Sequence, residues 1–358
     1  MFAQVDTIRA DPGEISELHL ADEPEVRIDG AADGPGPTFA RLGEGAWLPD
    51  GRIVVLDRGA LRIHLFGPSG EYLRSFGSGG EGPGELKSAT TVSTLADSLF
   101  VYDRSLARVS IFHPSEGYIR SIHVRGPYGG APPYKVRVIG EGRFAAYQWR
   151  LAPSLGEDPR LEYRRAWFSI LDEQGEPLGA PVPFAYTYSA VHEQGAVLPR
   201  PYAARALLAV CDGRTVMGAG YRFSLSIRGL KGEALEAIRW PRNRQSVNYG
   251  GEMDSLRPSW EERYPRYVDL IFHRELLPEH RPAIKRVRCG EQGRLWVGRF
   301  EPFHAPVRQW WILSEDSEPL GWFHLPPGAR LLDADGDRVL LVEQNDLGVE
   351  SLTVRQIR

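Results

Sequence analysis

The segment IVVLDRGALRIHLFGPSGEYLRSF, residues 53–76, is repeated 46 residues later as LFVYDRSLARVSIFHPSEGYIRSI, residues 99–122. The two copies align without a gap, and ten of the 24 positions are identical, including Asp57/Asp103 and Arg58/Arg104. Each copy reads as short β-rich runs separated by turns. A repeat of about 40–50 residues with several strands is typical of a β-propeller blade.

Two turn patterns extend the repeat over the chain. The first pattern is an acidic or amide residue, then a small or polar residue, then an apolar run. It begins at Asp50, Asp97, Glu141, Asp212, Gln292 and Asp335. A second pattern, G-E-x-L or a variant, occurs at residues 70–73, 116–119, 175–178, 232–235 and 317–320. The first is interpreted as the hairpin turn between the inner two strands and the second as the turn into the outermost strand, where Gly supplies positive φ. The sequence therefore predicts an all-β, six-bladed propeller with four-stranded blades.

The chain termini and the longest insertion complete this prediction. The last repeat, residues 327–358, has material for three strands, so an N-terminal run beginning at Pro24 is expected to supply the fourth and close the ring. Residues 1–358 are expected to form a single propeller domain, with a partly helical insertion, residues 241–282, between blades four and five. In that insertion Ser259 and Glu262 match a capping box, and Val268, Ile271 and Phe272 follow at helical spacing.

The stretch FGSGGEGPGEL, residues 76–86, matches the dinucleotide-binding pattern G-x-G-x-x-G. Such a loop must lead into a helix whose N-terminal amides hold the pyrophosphate. Here Pro83 and Gly84 follow, and then a β-branched run, so no helix is predicted. The glycines are instead expected to let the chain cross from blade one to blade two.

The pattern resembles the six-bladed β-propellers related to NHL repeats, particularly bacterial members with a G-x-G-P-G-E crossover. Residues 54–85 carry the resemblance, and residues 277–297 carry it more weakly. The resemblance implies a binding platform and implies no particular activity.

Composition limits the possible partners. The net charge of -4 gives no basic surplus for nucleic acid, and no apolar run approaches the length of a membrane span. Of the 43 basic residues 39 are arginines, which is interpreted as genomic base composition. A monomer without a cofactor is predicted. The opening residues lack the pattern of a signal peptide, although one could have been removed, so localisation stays open.

The loops predict which face carries the site. Long connections at residues 147–165, 181–202, 241–282 and 299–308 fall on the face where the chain crosses between blades, and function tends to lie on such loops. Asp57 and Asp103 are expected to cap the following turns and to pair with Arg62 or Arg108. Arginines on this face would suit an anionic ligand. The candidate ligand-binding residues are Arg58, Arg104, Tyr147, Trp149, Phe303 and His304.

Enzyme activity is left open, with a non-catalytic role favoured. The segment LGEGAWLPDGR, from Leu42, superficially resembles the EGPxW segment of metal-dependent gluconolactonase-like propellers, whose Glu binds the ion. The chain has three asparagines to complete such a site, Asn243, Asn248 and Asn345, and none lies on a predicted inner strand. Glu44 is therefore assigned to a loop, and no metal site is predicted.

The predicted function is a binding or scaffold propeller that recognises a small ligand, a peptide or a protein on its loop-rich face. The alternative is a lactonase-like hydrolase or a lyase with its site over the central channel.

Cys211 and Cys289 are the only two cysteines. They fall near the ends of the inner strands of successive blades, where a disulfide is conceivable if their Cα atoms approach within about 7 Å. A bridge and two buried free thiols both remain open. A bridge would indicate an oxidising compartment, whereas free thiols would leave the cytoplasm possible.

Overall fold

The structure, a computed structural model, describes residues 5–8, 11, 14–30, 36–126, 131–140, 142–151, 161–191, 197–211, 213–229, 233–241, 245–290, 293–301 and 307–358. Within these residues the strands form six sheets arranged as the blades of a propeller, and their pairing is antiparallel except for one N-terminal strand. The first strand of each blade lies innermost and contacts the first strands of the neighbouring blades. The prediction of a six-bladed propeller is confirmed.

The strand bounds follow the repeat. Blade one contains Leu42–Trp47, Ile53–Asp57, Arg62–Phe66 and Tyr72–Phe76; blade two contains Ala89–Leu95, Ser98–Asp103, Arg108–His113 and Gly117–His123. Blade three contains Lys135–Gly140, Arg143–Leu151, Leu161–Leu171, Val182–Val191 and the short Val197–Leu198; blade four contains Ala206–Cys211, Arg214–Ala219, Ser224–Gly229 and Ala234–Arg239. Blade five contains Ile284–Cys289, Leu295–Arg299, Gln309–Leu313 and Pro319–His324; blade six contains Arg330–Asp335, Arg338–Gln344 and Glu350–Gln356.

Blade three differs from its predicted outline. Much of residues 147–165 and 181–202, which were expected to be loops, belongs to strands of nine to eleven residues. These strands pair along most of their length, with one register shift between Ala166 and Trp167, so the blade extends further toward the face where the chain crosses between blades. We call this face the crossover face. Aromatic and β-branched residues such as Trp167 and Thr187 suit strands as well as loops, which explains the difference.

The ring is closed by an N-terminal strand, as predicted. Val26–Asp29 pairs with Glu350–Gln356 and supplies the fourth strand of blade six. The segment before it also contacts two other blades: Val5–Ile8 pairs in parallel with the outer strand of blade four, and Glu17 forms a bridge with Trp322 of blade five. The N-terminal segment therefore covers the outer edges of three consecutive blades, which removes open sheet edges.

The hydrophobic core lies between neighbouring blades. Val54 and Leu56 of blade one pack with Val92 and Val101 of blade two, and similar clusters join blades two and three, four and five, five and six, and six and one. Apolar residues on both faces of the middle strands are buried because each blade is covered on both sides.

The repeated Asp-Arg pair has a structural role through its carboxylate. Asp57 is fully buried and accepts hydrogen bonds from the backbone N–H groups of Ala40, Arg41, Gly59 and Ala60. Asp103 does the same for Lys87, Ser88 and Leu106. Each carboxylate thus fixes the turn that follows it and the segment leading into its own blade.

The prediction that Asp103 pairs with Arg108 was wrong. Arg108 donates to the carbonyl oxygens of Glu81, Gly82 and Glu85 at 2.6–3.0 Å, so it holds the glycine-rich crossover rather than the carboxylate. Residues 77–88 connect blade one to blade two without a helix, as predicted. The backbone of this loop supplies acceptors because its own carbonyl groups lack strand partners.

The insertion between blades four and five is helical, but its start differs from the prediction. Helix α1 spans Gly251–Arg263 and helix α2 spans Val268–Ile271. Ser259 lies inside α1, where its hydroxyl donates to the carbonyl oxygen of Leu256, so it caps nothing. The amide oxygen of Asn248 instead accepts from the N–H groups of Gly250 and Gly251. A motif match inside a longer helix is uninformative about where that helix begins.

The helices pack on the propeller through apolar residues. Val268 and Ile271 are buried with Trp260, Leu276 and Leu198, the last of which lies on the short fifth strand of blade three. The Glu252 carboxylate accepts from the Tyr202 hydroxyl at 2.7 Å and pairs with Arg281. These contacts hold the insertion beside residues 199–205.

Candidate functional site: a cationic central channel

A cavity of about 490 Å³ occupies the central channel, and residues from the inner strands of all six blades line it. Among the described residues, its walls carry eight basic side chains and two acidic ones, Glu44 and Asp333. The cationic residues are Lys135, Arg137, Arg164, Arg200, Arg205, Lys285, Arg286 and Arg288. Tyr134 and residues 199, 200 and 203–205, which precede inner strands, also line it, so the cavity reaches the crossover face.

Strand alternation explains why blade three points charges inward. Val136 and Val138 are buried on one side of the inner strand, and Lys135 and Arg137 alternate with them. Successive side chains of a strand point to opposite faces, so the two cations share the channel side. In blade five the pairing register shifts between Ile284 and Arg286, and both Lys285 and Arg286 line the cavity. An extra residue at a β-bulge reorients a side chain in this way.

Glu44 is the anionic centre of the channel. Its Oε1 lies 2.8 Å from Lys135 Nζ, and its Oε2 lies 2.5 Å from Arg137 Nη2. Burial alone would raise the pKa of Glu44, but Arg137, Lys135 and Arg288 together lower it well below its ordinary value. Glu44 is therefore ionised, and both of its oxygens are engaged by cations from blade three.

The assignment of Glu44 to a loop was wrong. It lies on the inner strand Leu42–Trp47, at a register shift between Leu42 and Gly45. Its carboxylate is neutralised by two cations, which is a different environment from that of a metal ligand. Among the described residues, no group of three or more His, Cys, Asp or Glu side chains is arranged to hold a metal ion.

The other basic residues are buried close to one another, which lowers their pKa values. Burial, with Arg205 and Arg286 nearby, lowers the pKa of Lys285 to about 7. Burial also lowers the pKa of Lys135 to about 8, although Glu44 opposes this change, and lowers that of Arg288 to about 10. The Nε of Arg288 is buried without a hydrogen-bond partner. Among the described residues that line the channel, basic side chains therefore outnumber carboxylates.

Asp333 is the second acidic group. Its Oδ2 accepts a hydrogen bond from the Trp47 N–H at 3.1 Å, which joins blade six to blade one. Burial raises the pKa of Asp333 to about 6, although Arg288 opposes the shift. Asp333 therefore changes its charge just below neutral pH.

Aromatic rings border the cavity on its blade-three side. Tyr134, Tyr147 and Trp149 all line it. The ring centroids of Tyr134 and Tyr147 are 5.4 Å apart, and those of Tyr147 and Trp149 are 6.4 Å apart in an edge-on arrangement. Burial raises the pKa of Tyr147, so its hydroxyl stays neutral. These rings hold one another in place beside the charged groups.

Cys211 and Cys289 are joined by a disulfide in the structure, with their Cα atoms 5.3 Å apart. Each residue ends the inner strand of its blade, and Cys289 lines the cavity. The bond connects blades four and five across the helical insertion.

The residues proposed from sequence are distributed over several places. Tyr147 and Trp149 line the central cavity. Arg58 is exposed, and its aliphatic part lies against Gly43. Arg104 is exposed beside a smaller pocket, with its guanidinium carbon 5.2 Å from the centre of the Tyr134 ring. Phe303 and His304 lie outside the described residues.

The charged residues of the channel were missed by sequence reasoning. The signal was the presence of basic residues in the inner strands KVRV, residues 135–138, and IKRVRC, residues 284–289. Arginine is abundant throughout the chain, so basic residues did not distinguish these two strands from other segments. Two of the four lysines, Lys135 and Lys285, nevertheless line the cavity.

Fold and site together define a six-bladed β-propeller with a cationic central channel. Among the described residues, no helix is long and apolar enough to cross a membrane. No protein-family model matches the sequence, and the search of curated proteins gives no relative.

Comparison with solved structures supports the fold. A Bacteroides fragilis protein, provisionally described as exported, is similar with a TM-score of 0.54 and 10% identity, over 99% of this chain and 100% of the other. A DUF4221 family member from Bacteroides vulgatus has a TM-score of 0.54 and 11% identity, over 96% and 99% of the two chains. A virginiamycin B lyase from Staphylococcus aureus has 10% identity over 94% and 88% of the two chains, and its TM-score of 0.40 is too low to support a conclusion. At these identities the likeness shows the fold alone.

Proposed function

We propose that this protein is a binding protein that holds a small multivalent anion in its central channel. The observation that carries the proposal is the set of eight basic side chains that line the cavity beside two carboxylates, counted over the part of the chain that the structure describes. The volume of about 490 Å³ lies within the range of roughly 300–1,000 Å³ that is usual for small-molecule sites.

Like charges that lie close together in the channel repel one another. Lys285, Arg205 and Arg286 oppose one another's charge, and this repulsion disfavours the folded protein. An anion that binds among them relieves the repulsion and gains charge-assisted hydrogen bonds. The cations belong to rigid inner strands on different blades, so little ordering is needed on binding. A ligand with charges at two or more points would contact several blades at once.

The proposal is tested by calorimetric titration with 1,2-ethanedisulfonate, whose two charges do not change between acid and alkaline pH. Dimethyl sulfone serves as the neutral control. The Arg286→Ala variant should bind the disulfonate about tenfold more weakly, equivalent to about 1.4 kcal/mol. Arg286 stands among cations, so its removal should not lower the melting temperature. Arg120, exposed on the outer strand of blade two, provides the matched control variant Arg120→Ala.

Two results would contradict the proposal: no heat with the disulfonate, or equal affinities of the Arg286→Ala and Arg120→Ala variants. The Arg58→Ala variant tests the earlier sequence-based candidate, and it should bind the disulfonate as the unmodified protein does.

One observation favours a second candidate function, a lyase. The pKa of Lys285 is lowered to about 7, which suits a general base at neutral pH. Lys285 could remove a proton next to a carboxylate that the arginines neutralise, while the bond to a leaving group on the adjacent carbon breaks and a C=C bond forms. Ultraviolet absorbance of the new conjugated double bond would detect this reaction. If the unmodified protein produces no such absorbance, or if the Lys285→Met variant still produces it, this role for Lys285 is excluded.

The Cys211–Cys289 disulfide supports an oxidising, extracytoplasmic location, because such bonds persist there and are rare in the cytosol. We also propose a relationship to the NHL-related propellers, supported by residues 54–85. A monomeric state remains a prediction.

A further inference from the structure

A second pocket, of about 260 Å³, adjoins the central cavity at the crossover face between blades two and three. Tyr134 and Trp149 line both spaces, so they form the boundary between them. Arg104 lines the second pocket from blade two. We call this space the side pocket. A ligand in the channel that extends past Tyr134 or Trp149 would enter it.

The side pocket presents aromatic surface. Tyr134 is 38% exposed, and Trp149 is half-buried. Their positions are supported by ring contacts through Tyr147, and Arg104 lies over the Tyr134 ring. An aromatic surface that is fixed yet accessible is suited to stacking against a flat ligand face.

Polar groups lie beside these rings. Ser88, Ser105 and Gln148 line the side pocket. The Gln148 side chain is oriented by a hydrogen bond from its Nε2 to the Ala131 carbonyl oxygen at 3.0 Å. Hydroxyl and amide groups next to aromatic faces suit a ring that has an apolar face and hydroxyl groups at its edge, which is the chemistry of a pyranose sugar. A purely apolar ring would instead remove these polar groups from water without replacing their hydrogen bonds.

We propose that the side pocket binds a sugar ring, and that the ligand of the protein is an acidic oligosaccharide whose charged unit lies in the central channel. This inference rests on the proposed function, because the channel supplies the site for the acidic unit. The acidic group can be a carboxylate or a sulfate, since arginine and lysine bind both.

The test compares a short oligogalacturonate and a sulfated disaccharide with 1,2-ethanedisulfonate, by calorimetry on the full chain. The Tyr134→Ala variant should weaken the binding of at least one of the two sugars roughly five- to tenfold more than it weakens the binding of the disulfonate. Tyr134→Phe keeps the ring and should keep sugar affinity. Tyr72 is also 38% exposed but lies on the outer strand of blade one, so Tyr72→Ala is the matched control.

The two carbohydrates distinguish the source of the charge, because tighter binding of one assigns the acidic group to carboxylate or to sulfate. A naphthalene disulfonate, which has a flat ring without hydroxyls, tests the sugar assignment. If its affinity depends on Tyr134 as strongly as that of the carbohydrates, the ligand is an aromatic acid and the sugar assignment is overturned.

The remaining outcomes separate this inference from the proposed function. If the disulfonate binds while neither carbohydrate binds, or while Tyr134→Ala alters all affinities equally or none, the side-pocket inference is overturned and the anion-binding function stands. If neither the disulfonate nor the carbohydrates bind, both fail. Near-ultraviolet circular dichroism of each variant checks that it has folded. If Tyr134→Ala has not folded, Tyr134→Leu, which removes the ring but keeps an apolar side chain, provides the same comparison.

Discussion

At the scale of single residues, the two members of the repeated Asp-Arg pair contribute differently to the fold. The carboxylate of Asp57 is buried and accepts four backbone hydrogen bonds, whereas Arg58 is exposed. An exposed charge contributes little to folding, while a lost buried acceptor leaves several donors without partners. Two adjacent identical positions in the repeat therefore have different physical reasons for their residue type.

The Asp57→Ala variant should lose about 3 kcal/mol or more of unfolding free energy, because four N–H groups lose their acceptor. Arg58→Ala should stay within about 0.5 kcal/mol of the unmodified protein. Urea denaturation followed by tryptophan fluorescence measures both. Equal effects of the two substitutions would show that the carboxylate does not organise the turn.

The channel residues make anion binding depend on pH. As pH rises, Asp333 gains negative charge near pH 6, Lys285 loses positive charge near pH 7, and Lys135 loses it near pH 8. Each change lowers the net charge of the channel, so affinity for an anion falls with rising pH. The groups that affect Lys285 are Arg205, Arg286 and Glu301.

We expect the affinity for 1,2-ethanedisulfonate to decrease from pH 5.5 to pH 8.5, by about tenfold for each charge lost. Lys285→Met should remove the decrease near pH 7 and leave the decrease near pH 6. Calorimetric titration at several pH values, at constant ionic strength, measures this profile. Affinity that is independent of pH in the unmodified protein would contradict the assignment of these groups to the binding site.

At the scale of elements, the disulfide joins two inner strands that are far apart in sequence. Cys211 and Cys289 are separated by 78 residues, which include the helical insertion. A bond across so long a segment limits the conformations of the unfolded chain, which is one accepted source of disulfide stabilisation. The helices add their own contacts with Leu198 through Trp260 and Ile271.

Denatured, unreduced protein should contain no free thiol, and reduced protein should contain two. Replacing both Cys211 and Cys289 with Ser should lower the unfolding free energy by about 2–4 kcal/mol. Thiol titration and denaturation curves measure these quantities, with unmodified protein kept in reductant as the matched control. Two free thiols in the unreduced protein would rule the bond out.

At the scale of the whole molecule, the N-terminal segment holds blades four, five and six together from outside. The N–H of Leu18 donates to the carbonyl oxygen of Trp322, and His19 and Arg358 exchange two backbone hydrogen bonds. Arg355 donates to the carbonyl oxygens of Ala21 and Asp22. We propose that residues 1–358 fold as one cooperative unit for this reason.

Deletion of residues 1–30 should lower the melting temperature and promote aggregation, because it exposes the outer strand of blade six. Deletion of residues 1–10 is the matched control, since it removes the pairing with blade four and keeps Val26–Asp29 in place. Thermal unfolding and light scattering follow both effects. An unchanged melting curve for the longer deletion would show that strand closure does not stabilise the ring.

Sequence by itself determined the architecture of this protein. The repeat of residues 53–76 and the glycine turns depend on local chemistry, which can be read along the chain. The incomplete last repeat indicates a missing strand, because an open sheet edge needs a partner. The capping box at Ser259 failed because the same local pattern also occurs inside helices.

Only the tertiary structure decided the site. Glu44, Lys135, Arg286 and Asp333 come from four different blades, and their proximity depends on ring closure and on bulges that turn individual side chains inward. A shift of one residue in a strand moves a side chain to the opposite face, and sequence patterns do not reveal such shifts. Electrostatic interaction depends on distance and burial, so the charge of the channel exists only in the folded ring.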